Sequence, residues 1–195
     1  MSRTATCDRN TKETQIHIEL NIDGTGQYNI DTGVGFFDHM LEGFARHGLF
    51  DLTVKVKGDT QVDAHHTVED TGIVLGKAFL SALGDKAGIA RFGYFILPMD
   101  DALVLASLDF SGRTYFDFEA DLKAERLGTM ETEVVREFFM GLAGGVGMNL
   151  HIRMLSGSNA HHMIEAMFKA FAKAIDEATS YDERITGVLS TKGSL

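Results

Sequence analysis

Alternation of apolar and polar residues marks several short segments of the chain, which is the pattern of a strand with one buried face. In residues 14–22, for example, Ile16, Ile18, Leu20 and Ile22 share one face. The other segments with this pattern are residues 3–10, 27–31 and 52–56 in the first half, and residues 93–98, 102–110, 114–119 and 150–154 in the second. The alternation therefore predicts strands throughout both halves of the chain.

Apolar residues at helical spacing lie between these strands. Phe37, Met40, Leu41 and Phe44 recur at intervals of three and four within residues 34–47, and Gly48 follows as a candidate C-cap. Further helices are predicted from residue 65 to about 83, over residues 131–144, and from residue 161 to about 178.

The two halves of the chain repeat one order of elements, βββαβα. The repeats span roughly residues 1–90 and 91–180, and residues 181–195 form a C-terminal tail. Neither half can cover its sheet and close a large core alone, so we expect one domain over residues 1–195. Its predicted class is α+β, with the helices sandwiched between two β-sheets.

Each half also carries the string His-His-x-x-Glu at the start of a predicted helix. Imidazole and carboxylate groups are transition-metal ligands. Neighbouring residues of a helix point about 100° apart, so we expect the two imidazoles of one string to bind different metal ions. Each ion would then take ligands from more than one place, other subunits included. The ligand candidates in the strings are His65, His66, Glu69, His161, His162 and Glu165.

Alignment of the two repeats adds a ligand candidate from each half. At an offset of 98 residues Phe37 aligns with Val135, and His39 aligns with Glu137, another residue that can bind a metal. The alternative interpretation of the two strings is helix capping by buried histidines. Their occurrence in register in both repeats favours metal binding or catalysis.

The acidic composition of the chain disfavours some classes of binding partner. The chain of 195 residues is 44% hydrophobic and 24% charged, with a formal net charge of −10, which disfavours nucleic acid and anionic membranes. No apolar run approaches the roughly 20 residues of a membrane span, and residues 1–6 lack the apolar core of a signal peptide. We therefore expect a cytoplasmic protein.

An anionic substrate would need a cationic pocket in so acidic a chain. Two arginines and a hydroxyl-rich tail with one lysine can supply a phosphate site. The alternative is that these arginines are solvated charges and that the tail is a disordered end. The candidates for substrate contact are Arg91, Arg113, Ser190, Thr191 and Lys192, together with His47 at the end of the first helix.

Four longer strings connect these candidates. They are Thr32-Gly33-Val34-Gly35-Phe36-Phe37-Asp38-His39-Met40-Leu41, Asp63-Ala64-His65-His66-Thr67-Val68-Glu69-Asp70-Thr71-Gly72, Pro98-Met99-Asp100-Asp101-Ala102 and Asn159-Ala160-His161-His162. Over nearly the whole chain they resemble the imidazoleglycerol-phosphate dehydratase family, in its monofunctional form. The resemblance implies a hydro-lyase for the sixth step of L-histidine biosynthesis. In that step D-erythro-imidazole-glycerol phosphate loses water to give imidazole-acetol phosphate.

The resemblance further implies a fold like the second domain of ribosomal protein S5, two Mn²⁺ ions per active site, and a homo-oligomer of 24 subunits with active sites at subunit interfaces. Many members have His where this chain has Glu137, which makes Glu137 the expected eighth ligand. The other seven implied ligands are His39, His65, His66, Glu69, His161, His162 and Glu165. The residues implied to hold the substrate phosphate are Arg91, Arg113, Ser190 and Lys192.

The implied chemistry gives these groups distinct roles. Two metals on the ring nitrogens of the substrate would stabilise an imidazolate, which can expel hydroxide from the neighbouring side chain. A carboxylate then removes a proton and gives an enol that becomes the ketone. The catalytic candidates are Glu13, Glu69 and Glu165, with Glu13 or Glu165 transferring the proton and Glu69 acting mainly as a ligand. Glu13, His39 and His65 are also expected to contact the substrate.

Two other functions use the same ligand set. One is a di-metal hydrolase acting on a phosphorylated substrate, because the ligands do not themselves choose the reaction. The other is a metal-buffering protein without enzymatic activity. The arginines and the Ser-Thr-Lys tail favour an enzyme, since a metal buffer needs no phosphate site.

Overall fold

The computed structural model describes residues 3–195, so Met1 and Ser2 of the expected domain lie outside the described residues. The first repeat consists of β1 (Thr4–Asn10), β2 (Thr14–Asn21), β3 (Tyr28–Asp31), α1 (Gly35–Gly48), β4 (Asp51–Gly58) and α2 (His65–Leu83). The second consists of β5 (Phe92–Met99), β6 (Ala102–Asp109), β7 (Tyr115–Glu119), a hairpin of β8 (Arg126–Leu127) and β9 (Met130–Glu131), α3 (Val134–Val146), β10 (Asn149–Ser156) and α4 (Ala160–Thr179). Among the described residues, no helix has the length and apolar character needed to cross a membrane.

The two large sheets have the same topology. Their strand orders are β1-β2-β4-β3 and β5-β6-β10-β7. In each sheet the first three strands are antiparallel and the last pair is parallel, with Tyr28 opposite Leu52 in one and Phe116 opposite Leu150 in the other. Each parallel pair is joined through a helix, as such a connection requires. The predicted duplication of βββαβα is therefore present in the fold.

The helices lie between the sheets, as the sequence predicts for this α+β class. Helix α2 packs on β1 and β2, and α4 packs on β5 and β6. The helices also pair across the two repeats, α1 with α4 and α2 with α3. Buried phenylalanines fill the centre, where the Phe138 and Phe168 rings stack with centroids 5.0 Å apart. One apolar core thus serves both halves of the chain.

Glycines bring the backbones of α2 and α3 into direct contact. A Cβ atom added to Gly72 would lie 2.3 Å from the carbonyl oxygen of Phe138, and one added to Gly145 would lie 2.5 Å from that of Ile73. Gly76 is equally crowded, because its added Cβ would lie 2.4 Å from the carbonyl oxygen of Leu142. Any side chain at these positions would push the two helices apart.

The β8–β9 hairpin was not predicted, and the helix predicted to start at Glu131 begins at Val134 instead. Glu131 pairs in β9 with Arg126. Each strand of the hairpin has two residues, which is too short for alternation to reveal. The hairpin also explains the offset between the repeats: Leu20 corresponds to Leu108, 88 positions on, whereas Leu52 after the insertion point corresponds to Leu150, 98 positions on.

Adjacent glycines of α3 offer a matched test of the α2–α3 contact. We expect Gly145→Ala to lower the free energy of unfolding by about 1–3 kcal/mol, because its Cβ overlaps the α2 backbone. Gly144→Ala should instead be neutral or stabilising by up to about 1 kcal/mol, since an added Cβ meets nothing within 4 Å and alanine favours helix. Thermal unfolding of both variants at equal protein concentration measures the difference, and equal shifts would contradict the close contact.

Candidate metal centre and substrate pocket

Three side chains from two helices converge at the start of α4. His39 on α1 and His161 and Glu165 on α4 each offer a ligand atom, and these atoms all lie within 4.8 Å of one another. The Nε2 atoms of His39 and His161 lie 3.5 and 3.1 Å from Oε2 of Glu165. Phe36 packs edge-on against the His161 ring with centroids 5.2 Å apart. The pairing of α1 with α4 creates this cluster, which joins the two repeats.

Lys169, which the sequence did not single out, completes the surroundings of Glu165. Its Nζ lies 2.7 Å from Oε1 of Glu165, one helical turn away. Burial raises the pKa of Glu165, but the hydrogen bond and charge of Lys169, with His39 and His161, outweigh it and lower that pKa. Glu165 is therefore held as a carboxylate. The spacing of four residues along α4 is the signal that would have found Lys169.

His47 lies within electrostatic reach of the same cluster. Partial desolvation lowers its pKa, and the cation of Lys169 lowers it further, while Glu165 acts in the opposite direction. A neutral imidazole on α1, two turns from His39, can donate or accept a hydrogen bond at the edge of the cluster.

The equivalent residues of the first repeat form a looser arrangement. On α2, Nε2 of His65 lies 3.5 Å from Oε2 of Glu69. Glu137 on α3 does not close a three-ligand cluster with them, because its carboxylate pairs with the neighbouring Arg136 at 3.2 Å. The structure therefore brings His65 and Glu69 together and leaves Glu137 apart.

The second histidine of each string is turned away from the first. The rings of His65 and His66 are nearly perpendicular, at 83°, and those of His161 and His162 at 84°. The Nδ1 of His66 lies 3.0 Å from Asp59, and a raised pKa of His66 follows mainly from this hydrogen bond. An imidazole with one nitrogen fixed by a carboxylate has its other nitrogen oriented for a metal.

Asp101, in the turn between β5 and β6, anchors His162 in the same way. Its Oδ1 lies 2.8 Å from Nδ1 of His162, and its Oδ2 accepts hydrogen bonds from the backbone of Ser158 and Asn159. These bonds, that of Asn159 first, hold the pKa of Asp101 well below its ordinary value of 3.8. Asp101 thus fixes both the histidine and the loop before α4.

Glu13 occupies the turn between β1 and β2. The hydroxyl of Thr11 accepts hydrogen bonds from the backbone N–H groups of Glu13 and Thr14, which fixes the turn. The carboxylate of Glu13 is exposed and has no hydrogen bond or ion pair with any residue from 3 to 195. Its charge nevertheless raises the pKa of His66, after the larger effect of Asp59. Glu13 therefore lies near the start of α2.

The predicted phosphate candidates meet in one pocket of about 660 Å³. Its polar lining comprises Arg91, Arg113, Arg184, Ser190, Thr191 and Lys192, with Thr186 and Ser194. A turn brings Ser190 and Lys192 together, because the Ser190 hydroxyl accepts from the Lys192 backbone N–H at 3.2 Å. The tail therefore folds against the arginines. The lining includes none of the eight metal-ligand candidates.

Arg91 is held rigidly at the wall of this pocket. Its guanidinium donates to both oxygens of Asp109, at 2.6 and 3.0 Å, and to the carbonyl oxygen of Leu189 at 2.6 Å. The residue has φ of 70°, a strained conformation for a side chain of this size. Arg91 thus links the second sheet to the tail that closes the pocket.

One histidine–carboxylate cluster joins the two repeats, and a cationic pocket lies apart from it. These features define a class of duplicated α+β enzyme for an anionic substrate. The family model of imidazoleglycerol-phosphate dehydratase matches residues 32–175. The chain therefore belongs to the imidazoleglycerol-phosphate dehydratase family.

Close relatives agree over the full length. Imidazoleglycerol-phosphate dehydratases of Lachnoclostridium phytofermentans and Acetivibrio thermocellus are each 60% identical to the chain over 195 residues, covering 100% of both chains. The crystal structure of the Pyrococcus furiosus enzyme matches with a TM-score of 0.84 and 39% identity, covering 96% of this chain and 99% of that one. The Staphylococcus aureus enzyme matches with a TM-score of 0.83 and 37% identity, covering 92% and 99%.

These similarities confirm the reaction implied by the sequence motifs. The chain is a hydro-lyase that catalyses the dehydration step of histidine biosynthesis on a phosphorylated substrate.

The anchoring role of Asp101 predicts a sensitivity to acid. Because its folded pKa is lowered, its stabilising contribution is present above the unfolded pKa and is lost as the pH falls through the folded value. We expect Asp101→Asn to be less stable than the parent at neutral pH, and the difference to shrink progressively as the pH falls below about 4. Melting temperatures across this range measure the effect. Asp121→Asn, at an exposed aspartate that pairs with Lys123, is the control and should follow the parent; equal losses in all three proteins would contradict the assignment.

Proposed function

We propose that the chain dehydrates imidazole-glycerol phosphate with two Mn²⁺ ions per active site, at sites shared between subunits. The observation that carries this proposal is the cluster of His39, His161 and Glu165, which places two imidazole nitrogens and a carboxylate oxygen within ligand distance of a common point. Imidazole and carboxylate ligands fit Mn²⁺, and a chain with a single cysteine has no thiolate-rich site to compete for it.

The proposed ligands fall into two groups, one with two histidines and one glutamate and the other with one histidine and two glutamates. His39, His161 and Glu165 would hold one ion, and His65, Glu69 and Glu137 the other. To bind the second ion, the carboxylate of Glu137 would have to leave its ion pair with Arg136. This pair is exposed, so breaking it costs little. His66 and His162 supply the remaining ligand of each ion, which makes eight in all: His39, His65, His66, Glu69, Glu137, His161, His162 and Glu165.

Two features support a site shared between subunits. The first is that the rings of His66 and His162 lie nearly perpendicular to those of His65 and His161, respectively, and that each is held by an aspartate. The second is that the phosphate pocket shares no lining residue with the metal ligands. Closed symmetry would bring these parts together in an assembly, for which we propose 24 subunits. We further propose that the enzyme works in the cytoplasm.

The substrate phosphate is proposed to bind in the tail pocket. Arg113 and Lys192 provide charge, and Ser190 and Thr191 provide hydroxyl and backbone donors. Arg91 shapes the pocket and retains N–H groups for the phosphate beside its pair with Asp109. The imidazole ring of the substrate would then lie toward His39, His47 and His65.

When bound, the metal ions would withdraw charge from the substrate's ring and so favour loss of the neighbouring hydroxyl group. The chain's own carboxylates would act either as metal ligands or as the group that accepts the proton. Glu165 is engaged by Lys169 and His161, and Glu69 by His65, which suits both to ligand roles. Glu13 has a free carboxylate and is proposed to take the proton from the side-chain carbon, giving the enol that becomes the ketone. Glu165 is the alternative for this step.

The first test is turnover of imidazole-glycerol phosphate by metal-stripped protein, with and without added Mn²⁺. We expect no turnover without metal and full turnover with two bound ions per site, because the ring cannot be activated by the side chains alone. Bound metal should be counted by elemental analysis in parallel. Two bound ions without dehydration would overturn the proposal and favour a hydrolase or a metal-buffering protein.

The second test concerns the assembly. If His66 and His162 bind ions held by other subunits, complete chelation should lower the sedimentation coefficient, and Mn²⁺ should restore it. His66→Ala is expected to sediment as the chelated protein does even with Mn²⁺ present. His17→Ala removes a histidine whose ion pairs within residues 3–195 are with Asp8 and Glu19, and it should sediment as the parent does. An unchanged coefficient after metal removal would contradict ligand sharing.

A further inference from the structure

A buried polar network ties the β1–β2 turn to helix α2. Asp70, 6% exposed, accepts a hydrogen bond from the hydroxyl of Thr14 at 2.5 Å and one from the guanidinium of Arg9 at 2.8 Å. Arg9 lies on β1 and Thr14 on β2, so one carboxylate holds both strands of the hairpin. Asp70 follows Glu69 directly in the chain, and Glu13 precedes Thr14. The network therefore connects the free carboxylate of the turn with the ligand helix.

The second repeat has the same fold, so its residues at the positions of Arg9, Thr14 and Asp70 show whether the fold requires polar side chains there. The hairpins correspond at an offset of 88 residues, since Arg9 pairs opposite Ile16 as Leu97 pairs opposite Val104. The helices correspond at an offset of 96, which aligns the two histidine pairs. The counterparts of Arg9, Thr14 and Asp70 are Leu97, Ala102 and Ala166.

All three counterparts are apolar, and all three pack in or against the core. At these three positions the second hairpin therefore packs on its helix through apolar side chains, and its polar contacts with α4 are made elsewhere, by Asp101 to His162 and by the Tyr94 backbone to Glu177. The polar network also leaves the Nε of Arg9 buried without a partner among the described residues, and native folds seldom leave such a donor unpaired. Packing does not account for the network, which makes a functional role the better explanation.

Glu13 shows what differs between the two hairpins. Its counterpart 88 positions on is Asp101, which is bound to His162. In the first repeat Asp59 binds the equivalent His66, and Glu13 is left free. Asp70 raises the pKa of Arg9, and Glu13 and Glu69 add to this effect, so the guanidinium lies within reach of both carboxylates. In the first repeat the turn of the hairpin therefore does not anchor the histidine, and its carboxylate, that of Glu13, lies unengaged beside the network.

We propose that Arg9, Thr14 and Asp70 are positioning residues that hold Glu13 in place for proton transfer. The role rests on the proposed function of Glu13 and needs no contact between the network and the substrate. Thr14 sets the end of the turn, Asp70 fixes Thr14 against α2, and Arg9 orients the turn from β1. Displacement of Glu13 by about 1 Å is enough to lower the rate of a proton transfer by up to about a hundredfold.

A double-mutant cycle separates positioning from general stability. Thr14→Val keeps the shape of the side chain and removes the hydroxyl, whereas Thr14→Ser keeps the hydroxyl. We expect Thr14→Val to lower kcat about tenfold or more with KM changed less than about threefold, and Thr14→Ser to retain most of the activity. In a Glu13→Gln background, Thr14→Val should lower kcat by less than about twofold, because its effect passes through Glu13.

Two further variants control for folding. The triple variant Arg9→Leu, Thr14→Ala, Asp70→Ala gives the first hairpin the residues of the second and should fold and bind the same number of Mn²⁺ ions. It should nevertheless turn over no faster than Glu13→Gln. Thr71→Val removes a buried hydroxyl that donates to the backbone of its own helix, at Thr67. It should lower the melting temperature without changing kcat.

The outcomes distinguish this inference from the proposed reaction. Full activity of Thr14→Val, or equal losses with and without Glu13, would overturn the positioning role while leaving the dehydratase intact. If the parent protein loaded with Mn²⁺ shows no turnover, the proposed function fails, and hydrogen exchange then decides the positioning role. The amides of Glu13 and Thr14 should exchange faster in the triple variant than in the parent or Thr71→Val, and unchanged protection would overturn the inference.

Discussion

Crosswise pairing of the helices is the contact on which the rest of the molecule depends. Neither repeat can bury both of its helices against its own sheet, so α1 of the first half lies on α4 of the second and α2 on α3. The α2–α3 contact is close enough to require glycine on both helices. Because of this exchange His39 meets His161 and Glu165, which lie more than a hundred residues away in the chain. The core that stabilises the fold and the cluster that carries ligands are thus two consequences of one packing arrangement.

The duplication also gives the molecule an internal comparison. Positions that match between the repeats, such as the strand order and the paired histidines, report what the fold and the ligand set need. Positions at which the two repeats carry different residues indicate where one repeat has a role that the other lacks. His66 and His162 are both fixed by an aspartate, but the aspartates come from different loops. The hairpin position that anchors His162 in one repeat bears the unengaged Glu13 in the other. Because both repeats pack in the same way, a residue found in only one of them is not explained by packing alone. A structure without an internal repeat does not offer this comparison.

The sequence predicted most of the fold, because alternation and helical spacing are strong signals in segments of five or more residues. It missed the β8–β9 hairpin and placed the start of α3 three residues early, since two-residue strands carry no detectable period. For the site, repetition of the histidine strings selected His161 and Glu165, and alignment of the repeats added His39. The structure brings these three side chains together, and their role as metal ligands stays a prediction. Lys169 lies one turn from Glu165 on the same helix, so the spacing of four residues would have revealed it. The Arg9–Asp70–Thr14 network escaped notice because it joins β1, β2 and α2, which no sequence period connects. The pairing of Glu137 with Arg136 depends on side-chain conformation, which no pattern of residue types specifies.

The orientation of the histidine pairs has a thermodynamic consequence. Two adjacent imidazoles on one helix diverge by about 100° and would strain to reach the same ion. Asp59 and Asp101 hold the second ring of each pair nearly perpendicular to the first. If those rings complete the coordination of ions held elsewhere, metal binding and subunit association become linked equilibria, and each strengthens the other by the same free energy. The same linkage would keep a lone subunit inactive, since its phosphate pocket and its metal ligands share no residue. Under the proposed sharing of ligands, the geometry of the two helix N-termini would confine the chemistry to the assembled state without a separate device.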